Sequence, residues 1–222
     1  MAETLGRIAK PSVDKFKGER KLYCVPLLIN IKDAPQQYQE KYNLYWDQVA
    51  EHINGLEKAG KVSKIYHEGI FSSGEEGLEA IRQFNEKSYQ LVKSKYEQGA
   101  EIQALEDRDL FDEYTDWLMA LSVVGRSKKV ADKVLEYYRD VSDRRDEHIV
   151  KKINETLKEG EAGMLIMSDE YRMHIQPQLS TDIQVFLVRP PALNDIQQLI
   201  REMVKNKLQN LGEKAPDFKS WG

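Results

Sequence analysis

Short, almost wholly apolar runs set between long amphipathic stretches constrain this chain more than any other feature. LYCVPLLIN (22–30), KVSKIYHEGI (61–70), AEIQALED (100–107), EAGMLIM (161–167) and IQVFLV (183–188) have the lengths of strands rather than helices. A run with few polar positions is what a strand covered on both faces requires. Between the first two, Tyr38, Tyr42, Tyr45, Trp46, Val49, Ile53 and Leu56 recur three or four apart, the period of a helix, and Gly60 stands at its stop. Alternation of this kind predicts an α/β fold: a mainly parallel sheet of about five strands, helices on both faces. Pro26 removes a ladder donor, so the first strand should be an edge or locally irregular.

The remaining elements follow from the same signals. In SSGEEG, Ser72 and Ser73 each have a glutamate three residues on, a capping box that should open a helix running to about Gln98. Residues 109–160 have only Gly125 as an interior breaker, which predicts one long kinked helix, or two meeting near Gly125 and Arg126, before the fourth strand. A closing helix over 192–211 should follow Pro190 and Pro191. The fourth and fifth strands are joined by too short a segment to fix their relative direction. Residues 1–20, polar and broken by Pro11 and Gly18, read as an N-terminal arm, and 21–222 as a single α/β domain. No repeat of 20 to 50 residues and no low-complexity segment is found.

Composition narrows the function classes. The 222 residues are 41% hydrophobic and 32% charged, with a net charge of −4 and a mean hydropathy of −0.63. That balance offers no surplus of Lys and Arg for phosphates, so a nucleic-acid partner is not expected. No stretch approaches the roughly 20 apolar residues of a membrane helix, and the opening MAETLGRIAKPSVDKFKGER has no signal-peptide pattern. The single cysteine, Cys24, lies in an apolar run and reads as a small core residue. A cytoplasmic location is the expectation, and no cofactor or metal is specified. P-loop, dinucleotide-fingerprint, HExxH and Gly-x-Ser-x-Gly patterns are absent.

What the sequence does place together is a mostly acidic rim. Ligand sites of open α/β sheets form beyond the carboxyl ends of the strands, and those ends carry His67 with Glu68, Glu106 with Asp107, Asp169 with Glu170 and Arg172, and Arg189. Carboxylates also serve there as helix caps. Around VSDRRDEHIVKKI (141–153), Val134, Tyr138, Val141, Ile149, Ile153 and Leu157 define one side of a helix, and Arg145 projects inside that arc. Arg144, Asp146 and Glu147 project elsewhere, and His148 sits at the arc's edge. A buried guanidinium costs several kcal/mol unless paired. Glu68 is therefore the first expected partner of Arg145 and Glu170 the second, unless Arg145 snorkels to solvent.

The order of IYHEG closing the second strand, RRDEHIVKKI on a late helix, then GMLIM followed by SDEYR resembles the TraB, haem-binding ChaN and erythromycin-esterase-like superfamily, over about residues 61–188. The resemblance implies a site built from Glu68, Arg145 and Asp146 that serves hydrolysis or haem binding. The family's histidine motifs are missing. Tyr171 stands where one histidine is wanted, His174 lies three residues beyond, and YCVPLLINIKDAP lacks the acid-histidine pair. The terminal order of strand, polar loop and strand is also similar to proteins with a release-factor-like central domain, which would imply ribosome association.

Two expectations follow. One is a non-catalytic ligand-binding or assembly protein with a polar pocket at the strand ends, in which amphipathic helices support a homo-oligomer. The other is a TraB/ChaN-like hydrolase or metal- or haem-binding protein, with Glu68 as base or ligand, Arg145 as anion clamp, Asp146 beside them and His67 or His148 as proton carrier. A small-molecule ligand contacting His67, Glu106, Asp107, Glu170 and Arg172 fits either.

Overall fold

The structure is a computed structural model, which describes residues 18–31 and 34–213. The expected arm therefore lies almost wholly outside the described residues. Five strands, β1 (Arg20–Pro26), β2 (Val62–His67), β3 (Glu101–Gln103), β4 (Ala162–Met167) and β5 (Ile183–Leu187), form one sheet in the order β3-β2-β4-β1-β5. Every pairing is parallel. The predicted α/β architecture holds, and the open question of the last strand resolves as parallel, with β5 pairing β1 rather than β4.

Among the described residues seven α-helices accompany the sheet: α1 (Gln36–Leu56), α2 (Gly74–Phe84), α3 (Glu86–Glu97), α4 (Arg108–Val123), α5 (Lys128–Thr156), α6 (Asp169–Ile175) and α7 (Pro191–Glu213). Successive side chains of a strand point to opposite faces. Tyr23 and Val25 of β1 thus join Ile65, Met164 and Ile166 in a core with α1, α2, α3 and α7, where Tyr45, Trp46, Val49, Ile81, Val92 and Ile196 meet them. Leu22 and Cys24 face the other way. They pack with Tyr66, Leu165 and Met167 against Ile149 and Ile153 of α5, Leu157 just beyond its end, and Ile175 of α6. The tyrosine and tryptophan stripe of α1 is core, as its period implied.

Three expectations are corrected. β1 is an interior strand, between β4 and β5, and tolerates Pro26 because the proline is its last residue. The expected single helix to Gln98 is two. Asn85 between them is extended, at φ −154° and ψ 104°, and its side chain accepts hydrogen bonds from Lys87 N and Ser88 N. That short polar side chain competes with the helical ladder for backbone donors and caps a new helix instead. β3 is three residues long, against the eight read from the sequence.

Between α4 and α5, residues 124–127 break the helix as Gly125 foretold. Ser127 caps α5 by accepting from Val130 N. The C-terminal half of α5 lies on the sheet. Its N-terminal half pairs with α4, where Trp117 stacks on Tyr137 at 4.7 Å.

Candidate functional site

β2 ends at His67, and a left-handed turn at Gly69 (φ +75°) follows Glu68. A residue with a Cβ is strained in that conformation, so glycine lets the chain reverse directly behind the carboxylate. The turn also anchors the segment after β3. Leu105 N and Glu106 N both donate to Ile70 O at 3.1 Å, and Gly69 N donates to Glu106 Oε1 at 3.2 Å. Two glutamates, one just after β2 and one in the segment after β3, are thereby fixed side by side, 8% and 5% exposed.

Arg145 of α5 descends onto them and is 2% exposed. Its Nε donates to Glu106 Oε2 at 2.9 Å and its second terminal nitrogen to Glu106 Oε1 at 2.5 Å, a forked pair whose geometry guanidinium and carboxylate share. Glu68 Oε1 lies 3.5 Å from the same nitrogen. The principal partner is thus Glu106, not Glu68 as expected. Glu170 makes no ion pair among the described residues and stands exposed on the rim. The Gly69 turn holds Glu106 alongside Glu68, and it is Glu106 that takes the forked pair. Burial works against the Arg145 charge, but the hydrogen bonds and field of Glu106, with Glu68 behind them, outweigh it and raise its pKa. Phe111, Tyr114 and Tyr171 surround the guanidinium with ring centroids 5.4, 4.9 and 5.0 Å away. Tyr114 bonds to the Tyr171 hydroxyl, and burial raises the pKa of both phenols, which stay protonated.

Glu68 is the group that faces open space. Its Oε2 accepts from Ser168 N at 2.8 Å, and it lines a pocket of about 350 Å³ with Gly69, Phe84, Phe111, Tyr114 and Tyr171. Burial pushes its pKa up. The Ser168 amide and Arg145 pull it back in part, while Glu106 pushes with the burial. The Ser168 hydroxyl oxygen itself is buried without completing a hydrogen bond.

Other expected residues lie elsewhere. His67 is fully buried, its Nδ1 donating to Glu68 O at 2.7 Å and its Nε2 facing Ser88 Oγ at 2.9 Å. Burial lowers its pKa to about 4, so it is a neutral core residue and no proton carrier. Asp107 caps α4 by accepting from Leu110 N at 3.0 Å. Arg172 is held by Asp169 at 3.1 Å and by Gln176, away from the pocket. Asp146, expected outside the buried arc, is 4% exposed because α6 covers it, with His174 Nδ1 3.7 Å away. Burial raises its pKa to about 6. His148 has a buried, unpartnered Nε2 but does not line the pocket.

The sequence missed Ser168 and the rings. Phe111, Tyr114 and Leu118 recur at helical spacing along α4, a signal that marks a face without saying whether core or cavity lies against it. The histidines implied by the family resemblance have no counterpart in the pocket. Both Glu106 oxygens are already engaged, and among the described residues no group of three His, Cys, Asp or Glu side chains is disposed to hold a metal ion. The described residues around the pocket therefore supply no three-ligand metal set. Nor, among the described residues, is any helix long and apolar enough to cross a membrane. Comparison of the chain with protein-family models, with curated proteins and with solved structures returned no match.

Proposed function

We propose that this chain is a small-molecule-binding protein whose site is the pocket at the carboxyl ends of β1, β2 and β4, with Glu68 as the polar group that orients the ligand. The observation that carries this reading is Glu68 itself. A nearly buried carboxyl group, backed by an ion pair and an amide, opens onto a cavity lined mostly by rings and aliphatic side chains. A volume of about 350 Å³ falls within the range of roughly 300–1,000 Å³ typical of ligand sites, as does the mixture of apolar walls and one placed polar group.

Hydrolysis is the weaker reading, because it asks for a proton carrier beside Glu68, and His67, His148 and His174 are all outside the cavity. The proximity of Glu68 to Arg145 accords with the TraB/ChaN-like resemblance, and we regard the chain as a divergent relative that keeps the acid-arginine contact without the metal chemistry. A cytoplasmic setting accords with the lone, buried thiol of Cys24.

Ligand-observed NMR with a set of small aromatic fragments tests the proposal. Fragments should show saturation transfer from the wild-type protein and lose it with Thr115→Trp, which fills the pocket from α4. Fragments that bind the variant equally well, or none that bind either protein, would overturn it.

A further inference from the structure

Resting on that assignment of the pocket, we infer that its ligand is an organic cation: an ammonium group carried on a compact aromatic or aliphatic body. The charge count leads there. Glu68 and Glu106 share a single guanidinium, and Glu106 takes the Nε and terminal-nitrogen donors in a fork. Glu68 is left with one amide donor on Oε2 and an Arg145 nitrogen 3.5 Å from Oε1, a distance that attracts without completing a hydrogen bond. With both glutamates ionised, the cluster carries one negative charge more than its cation neutralises, and the carboxylate without a full partner is the one that lines the cavity.

The walls agree with the count. Of the twelve residues lining the pocket, two are glutamates, Glu68 within and Glu170 at the mouth, and none is Lys, Arg or His. Arg145, read from the sequence as an anion clamp, lies behind the carboxylates and does not line the cavity. An anion entering here would meet two acids and no free positive donor. A cation would meet Glu68 and four rings, Phe84, Phe111, Tyr114 and Tyr171. Three of those rings already accommodate the Arg145 guanidinium at about 5 Å from their centroids, so the electron-rich faces of this layer favour positive charge. Leu27, Ile29 and Leu118 complete an apolar wall for the body of the ligand.

Benzylamine and benzyl alcohol, which share a ring and differ in the charge of the head group, separate this inference from the broader one. Titrated into the full chain at neutral pH and followed by isothermal calorimetry or NMR shifts, benzylamine should bind at least about tenfold more tightly, the discrimination expected of one partly desolvated charge contact. In Glu68→Gln the preference should fall to near unity while benzyl alcohol still binds, circular dichroism reporting that the variant is folded. Equal affinity of wild type for both probes, or a preference that survives in the folded variant, would overturn the cation inference and leave a neutral-ligand pocket standing. Binding of neither probe would remove the pocket assignment together with it. The wild-type comparison decides even if Glu68→Gln does not fold.

Discussion

Two buried cations in this molecule make an instructive pair. Lys95, 3% exposed, reaches from α3 to Glu57 Oε2 at 2.7 Å and Asn54 Oδ1 at 2.8 Å, where α1 ends. One positive charge meets one negative charge, a neutral amide completes the shell, and the remaining Glu57 oxygen caps Val62 N at 3.2 Å. Arg145 sits among two glutamates with Asp146 next to it in sequence, and a cavity opens beside the second glutamate. Both pairs offset the cost of a buried charge. Only the second leaves a negative charge over, and it does so at the carboxyl ends of the strands. A balanced pair staples helices, whereas an unbalanced one keeps an unspent interaction for something that arrives from outside.

That contrast is easiest to break at the cations. Arg145→Met strands two carboxylates and should cost about 3–5 kcal/mol in urea unfolding. Lys95→Met strands one, Glu57, whose side chain is 16% exposed, and should cost about 1–3 kcal/mol because water can reach it. Equal losses would mean that the two sites differ in layout alone.

The surplus charge can be sharpened at Asp146. Its folded pKa of about 6 lies above its ordinary value, so folding favours the protonated form. The contribution of Asp146 to stability is then greatest below about pH 4 and is lost as pH rises through 6. Asp146→Asn should be about 1–2 kcal/mol more stable than wild type at pH 7.5, a figure discounted for partial solvation, and equal to it near pH 4. A variant no more stable at the higher pH would show that Arg145 already neutralises the acid fully.

Ser168→Ala should have the smallest effect, a gain under about 1 kcal/mol from removing a buried hydroxyl without a partner. The amide that holds Glu68 remains. A loss of more than about 1 kcal/mol would mean that the hydroxyl supports the carboxylate after all.

The architecture was legible because its signals are local and repeated: apolar runs of strand length, helical periods between them, and glycine or proline at most junctions. Asn85 escaped because no glycine or proline marks the break it makes, and its capping role depends on side-chain geometry. At the site, the burial of Arg145 was legible from its helical phase alone. Its partner was not, since choosing Glu106 over Glu68 depends on the Gly69 turn carrying the chain from β2 back toward the segment after β3. Asp146 was misplaced for a related reason. A helix covered by the sheet on one side and by α6 on another buries a wider arc than its aliphatic residues mark.

The sheet order also bears on how the molecule comes into being. Within the sheet β1 pairs only with β4 and β5, whose residues leave a ribosome well over a hundred positions after Pro26. Until then a seven-residue, mostly apolar segment has exposed edges on either side and no lateral neighbour to zip against. Such a nascent chain invites capture by chaperones or by its own copies. A product cut short before Ala162 should therefore be recovered as aggregate rather than as a smaller folded protein.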